Sequence, residues 1–205
     1  MSVESKQAPK RKYRKRRRAE LEDETRRRIT EAAVELHGSV GPARTTISGV
    51  AERAGVQRAT VYRHFKDEEA LFGACSAHWF AQNPVPDIDA WEAVVDPDER
   101  LQTALGEIYA WYESGEEMLE KVTRDAALVP AMRSPVEAME QWLAAATATI
   151  VRGRRERGRR RSRVEAAVGH AVSFGTWHSL VREQGLSASQ AVELMSGLVE
   201  TAASE

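Results

Sequence analysis

Cysteine occurs once in these 205 residues, at Cys75, so neither an intrachain disulfide nor a cysteine-built zinc site is available, and a cytoplasmic setting is the expectation. Proline, with 7 residues, and glycine, with 13, are too sparse for a fibrous or structureless chain. No apolar run reaches the length of a membrane span; the longest candidate, WLAAATATIV, suits a buried helix segment. The basic start of the chain lacks the apolar stretch of a secretion signal. Strand-like alternation and internal repeats are missing as well. The histidines at 37, 64, 78, 170 and 178 are scattered, and His78, three residues after Cys75, makes only an isolated pair. With no glycine-rich phosphate loop and no nucleophile elbow, the expectation is a protein that is not an enzyme and carries no metal or cofactor.

What is present is helical periodicity and a divided charge. The 42% apolar content supports a packed, all-α chain, long enough for a small domain of about 50 residues followed by a larger one. The net charge of −1 conceals 17 Lys and Arg against 8 acidic residues through Lys66, and 13 against 23 from Asp67 onward. A basic front on a near-neutral protein suits a polyanion.

Residues 1–18 hold eight basic residues among the nine from Lys10 to Arg18, which predicts a disordered arm that orders on a polyanion. A first helix is expected from Leu21 to His37, with Ile29, Ala32, Ala33 and Leu36 inward. After the break at HGSVGPA, Thr46 is placed to cap a second helix that buries Ile47, Val50 and Ala51. Gly55 then offers a left-handed turn before a third helix, Gln57 to Phe65, in which Val61 and Phe65 point inward. Asp67 is expected to cap a fourth helix that ends at NPVPD. Further helices are expected from Pro97 through Trp111, around Met118 to Val122, over Pro135–Val151, and over Val164–Val181 and Ala188–Ala203.

The third helix buries two residues and presents six polar ones, which fits a helix-turn-helix as well as a plain helical hairpin. In the first reading Gln57 and Arg58 reach base edges, while Arg44, Thr46, Thr60, Tyr62, His64 and Lys66 lie near phosphates.

The segment TTISGVAERAGVQRATVYRHFKDEEALF resembles the DNA-binding segment of TetR-family transcriptional regulators. The match includes Thr45, Thr46 and Ile47, then Ala54, Gly55 and Val56, then Thr60, Val61, Tyr62, His64 and Phe65. It covers residues 22–73. The resemblance implies an N-terminal three-helix helix-turn-helix domain (19–66) and a larger helical ligand-binding and dimerisation domain (67–205). It further implies a homodimer through the last two long helices, a palindromic double-stranded DNA operator, and a repressor released by a small, largely apolar effector. A ligand-responsive activator, or an adaptor with nonspecific DNA attachment, are the alternatives. Family members commonly carry lysine at the start of the fourth helix; Glu68 stands there instead, which shifts that phosphate contact to Lys66 or His64.

Trp79, Tyr109, Trp111, Tyr112, Met118, Met139, Trp142, Phe174, Trp177 and His178, together with Met132, form a set that suits either an adaptable apolar pocket or ordinary core. Glu107, Glu113, Asp125 and Glu137 could add negative charge to such a pocket or simply face solvent. The last two helices are apolar over an arc wider than one core requires, which fits a subunit interface or a large internal core. The arginine-rich stretch 152–163 is expected as a mobile, solvated loop, with contact to the acidic body or to DNA as the other readings.

Overall fold

The computed structural model describes residues 8–204, with side chains from Tyr13 onward. Every regular element among them is helical. The first, α1, runs unbroken over Ala8–Ser39. The expected disordered arm is therefore corrected for residues 8–18, while residues 1–7 lie outside the described ones. Lys and Arg are good helix formers, and Pro9 falls in the first turn, where its missing N–H costs nothing. Arg16 and Arg18 each pair with a glutamate one turn on, Glu20 at 2.8 Å and Glu22 at 3.0 Å, contributing about 0.2–0.5 kcal/mol apiece.

Further along α1, Ile29, Ala32 and Ala33 pack on Val50, Ala51 and Ala54 of the turn-linked α2 (Ile47–Arg53). Val61 of α3 (Arg58–His64) and the adjoining Phe65 close this small core. The Thr46 hydroxyl accepts the Gly49 N–H at 3.0 Å, capping α2 as its position implied. Gly55, at φ 65°, supplies the left-handed turn into α3. Two arginines of α1 satisfy carbonyls at the ends of these short helices. Arg28 donates to Ala54 and Gly55, and Arg26 donates to His64 at 2.6 Å while lying 4.1 Å over the Phe65 ring.

Asp67 caps α4 (Glu68–Gln82) through the Ala70 N–H at 2.7 Å. This helix joins two cores: Leu71 and Cys75 belong to the small one, whereas Trp79 and Phe80 pack on the larger. A short α5 (Ile88–Glu92) follows, then α6 (Pro97–Asp125), α7 (Arg133–Ile150), α8 (Gly158–Ala171), α9 (Phe174–His178) and α10 (Ala188–Ser204).

Three expectations are corrected here. The segments around Trp111 and Met118 form the single helix α6, and Gly115 at their junction lies under Trp79, whose ring would be 3.0 Å from an added Cβ. The helix expected over Val164–Val181 is broken at Val172 and Ser173, and Ser173 caps α9 through the Thr176 N–H. The break leaves carbonyls that α6 satisfies: Tyr109 donates to Ala171 at 2.9 Å and Tyr112 to Val172 at 2.5 Å. Finally, the arginine stretch is only partly a loop. Residues 159–163 form the first turns of α8, Arg154 is nearly buried against Asp98 at 2.6 Å, and Arg152 meets Glu92 at 2.6 Å. Arg154 and Arg152 thus contact the acidic body, while Arg155, Arg157, Arg159 and Arg160 stay exposed as the solvated reading expected.

Buried Arg100 fixes the same corner. Its guanidinium donates to the carbonyls of Trp91, Val94, Val95, Thr149 and Arg152, which ties the α5–α6 and α7–α8 connections together.

Candidate nucleic-acid interface and apolar cavity

The outer face of α3 begins at Gln57, the residue before the helix, whose side chain makes no capping hydrogen bond and is exposed. Arg58 and Tyr62 lie one turn apart and are exposed; Arg58 donates to the Tyr62 hydroxyl at 3.2 Å. Ala59 between them is exposed and small, so little stands between this helix and a docked surface. Thr60 and His64 are half-buried at the edge of the face. Burial, then the neighbouring Arg63 and Arg26, lower the His64 pKa, so its ring offers a neutral polar edge at physiological pH.

The approach to α2 supplies the rest of the predicted set. Arg44 is exposed, Thr45 donates to the Gly41 carbonyl at 2.9 Å, and Thr46 keeps a hydroxyl proton to give while its oxygen caps α2. Lys66 is exposed beside Asp67, with 3.5 Å between charges, and Glu68 is exposed in the first turn of α4. Arg63 and Ser48, exposed on the same pair of short helices, were not among the predicted contacts. Their outward register was legible, but nothing in the pattern separated them from ordinary surface.

Behind this face lies an apolar cavity of about 420 Å³. Trp79, Trp111, Tyr112, Met118, Met139 and Phe174 of the predicted set line it, as does Met132. Tyr109, Trp142, Trp177 and His178 do not. Tyr109 is committed to the α8 carbonyl described above, and Trp142 packs behind the wall between Trp91 and Trp111. Trp177 is fully buried beneath Arg182, while His178 faces Glu183 at 3.6 Å. The four carboxylates weighed as a negative feature also lie elsewhere. Glu107 accepts from Trp91 at 2.7 Å, Glu113 pairs with Arg182, Asp125 with Arg124, and Glu137 is exposed. Only Glu140, exposed at the rim, brings an acid to the cavity wall.

Part of the cavity wall comes from α1 and the turn after it, which sequence reasoning assigned to the small domain, and part from α4, assigned to the larger one. Val34, His37 and Pro42 come from α1 and the turn after it, and Phe72, Cys75 and Ser76 from α4. Burial pushes the Cys75 thiol up to about 12, so it remains protonated, and its nearest acceptor is the Thr30 carbonyl at 3.8 Å. His78 contacts Gln82 at 2.8 Å, so Cys75 and His78 do not form the pair their spacing allowed. Among the described residues no cluster could hold a metal ion, and no helix is long and apolar enough to cross a membrane.

Comparison with known proteins agrees with this geometry. The family model described as bacterial regulatory proteins, tetR family, matches residues 29–75, from the middle of α1 into α4. The HTH-type transcriptional regulator SrpR of Pseudomonas putida is 37% identical over 79 residues, 36% of this chain and 37% of SrpR. The chain thus spans little more than a third of that curated relative in the match. Two solved structures extend the likeness through the helical body. A TetR-like transcriptional regulator from Rhodococcus sp. RHA1 superposes with a TM-score of 0.59 at 16% identity, over 86% of this chain and 93% of that one. The multidrug binding protein EbrR, complexed with imidazole, does so at 0.55 and 23%, over 85% and 89%. At these identities the structures speak for the fold alone, and the family signal is confined to the matched segment: residues 29–75 are similar to the DNA-binding segment of the tetR family of bacterial regulatory proteins.

Proposed function

We propose that this protein is a sequence-specific transcriptional repressor that binds a palindromic operator as a homodimer and leaves it when a small, largely apolar molecule enters the cavity. Gln57 and Arg58 read base edges in the major groove, and Arg44, Thr45, Thr46, Thr60, Tyr62, His64 and Lys66 position the phosphates. The basic first turns of α1 add contacts to the DNA backbone that weaken steeply with salt. Residues 19–66 act as the DNA-binding domain and residues 67–205 as the ligand-binding and dimerisation domain, in the cytoplasm.

The observation that carries this reading is the shared wall. α1 and α4 hold the reading helix on one side and line the cavity on the other. A ligand that fits the cavity in only one spacing of the two reading helices would shift the population toward that spacing. Ligand chemistry is supported by the apolar wall and by the likeness to EbrR, a multidrug binding protein. The subunit contact is supported by α8 and α10, which pack on each other and leave Leu194 and Leu198 50% and 41% exposed beside Gly197.

Fluorescence anisotropy of the full chain on the duplex upstream of its own coding sequence, against a scrambled duplex at two salt concentrations, tests the reading. Tight binding to the first alone at physiological salt is expected. Equal, salt-collapsing binding to every genomic fragment tried would leave only nonspecific attachment.

A further inference from the structure

Three buried polar side chains line the cavity: His37, Cys75 and Tyr112. Tyr112 is committed to the Val172 carbonyl, and the Cys75 thiol faces the Thr30 carbonyl. His37, only 5% exposed, makes no hydrogen bond or ion pair among the described residues. Its one specific contact is a parallel stack on Phe72, with ring centres 4.6 Å apart and planes 6° apart. That stack fixes the plane of the imidazole, and its nitrogens, which have no protein partner and are not sealed from solvent, are open to a group that enters the cavity.

We infer that His37 is the polar recognition point of the cavity, and that the effector is an uncharged, largely aromatic or apolar molecule bearing one hydroxyl that hydrogen-bonds the imidazole. This rests on the ligand-binding reading above and names the chemistry that reading leaves open. Burial holds the imidazole neutral, its pKa pushed down to about 4, so it carries one donor and one acceptor. A hydroxyl satisfies either nitrogen in either tautomer, whereas a carbonyl serves only the donor. A carboxylate or ammonium would enter an apolar wall with no opposite charge to meet it, apart from the exposed Glu140 at the rim. The remaining wall, Trp79, Trp111, Phe174, Met118 and Met139, takes flat or irregular apolar bodies equally well. His37 lies in the last turns of α1, so a ligand held there touches the DNA-binding domain directly.

The test uses biphenyl and para-phenylphenol, which share a shape and differ by one hydroxyl, followed through the fluorescence of Trp79 and Trp111 in the cavity wall. The unaltered protein is expected to bind the phenol roughly three- to tenfold more tightly, the range of one net neutral hydrogen bond. His37→Phe and His37→Leu, either of which removes both nitrogens, should erase that preference while biphenyl binding persists, and His37→Gln should restore part of it. Equal affinities in the unaltered protein, or a preference that survives in an apolar variant that folds, would overturn the assignment and leave the ligand cavity standing. If neither compound binds, this inference is overturned, while the operator-binding reading stands or falls on its own anisotropy test.

Discussion

The carboxylate of Asp125, at the last turn of α6, accepts the backbone N–H of Ala43 at 3.0 Å, although the two residues are 82 positions apart. Asp125 is 2% exposed and is held on its other side by Arg124 at 2.7 Å. The same helix lines the cavity with Met118, Leu119 and Val122, and Ala43 lies in the turn that leads into α2. One hydrogen bond therefore joins the cavity wall to the segment that aims the helix-turn-helix.

This bond makes a prediction about acid. The Arg124 hydrogen bond, followed by that from Ala43, holds the Asp125 pKa below the usual carboxylate range, against the opposing effect of burial. The folded state thus binds this proton less readily than the unfolded chain. The stabilisation is complete above the ordinary aspartate pKa and is lost as pH falls through the lower, folded value. Asp125→Asn keeps an acceptor but no charge, so its urea midpoint should vary less with pH below about 4 than that of the unaltered protein. Identical acid slopes would remove the assignment. Asp125→Ala leaves the Ala43 N–H unpartnered and should cost roughly 1–3 kcal/mol.

His37 titrates in a separate window. An unfolded imidazole takes its proton near pH 6.5, whereas the buried ring resists until about 4. Above pH 6.5 both states are neutral and the residue contributes no pH dependence. As pH falls from 6.5 to about 4 the unfolded state is favoured, by roughly 3 kcal/mol once both values are passed. Replacing His37 with Phe should flatten the stability profile in that interval and leave it unchanged above pH 7. A profile that keeps its slope would show that the ring is charged in the folded protein.

On the reading helix the two classes of contact separate by their effect on cognate and random DNA. Gln57→Ala should narrow the gap between them by about 1–3 kcal/mol, the range of a base-edge contact. Tyr62→Phe should weaken both through the lost phosphate contact, and any narrowing of the gap would report the loss of the acceptor that Arg58 meets at 3.2 Å. Equal losses for Gln57→Ala on the two duplexes would move that residue to the backbone class.

The proposed subunit contact is tested at two exposed leucines of α10. Leu194→Arg together with Leu198→Arg should yield a folded monomer by sedimentation velocity at micromolar concentration, because neither side chain supports the core of its own chain. A dimer that persists would place the contact on another face.

Local chemistry was legible in the sequence wherever a residue acts on its own neighbours. Thr46 and Asp67 cap their helices, Gly55 turns the chain, and the buried Val61 and Phe65 leave one polar face on α3, all within a few positions of the motif that announces them. The helical class followed from periodicity alone, whereas the helical form of residues 8–18, read as a disordered arm, did not. The legible features depend on backbone geometry and short-range hydrogen bonds, which the order of residues fixes directly.

What crosses between elements needed the tertiary structure. One helix runs under Trp79 at Gly115 where two segments were expected, and tyrosines from α6 satisfied the carbonyls at the break between α8 and α9. Arg154 and Arg152 settled onto Asp98 and Glu92, residues more than fifty positions earlier. Helical spacing alone does not distinguish an aromatic residue that faces a void from one that fills it, so Trp111 and Trp142 read alike although one lines the cavity and the other lies behind it. His37 read as the end of a helix in the small domain. Only packing against Phe72 of α4 made it a buried group of the cavity wall without a protein partner.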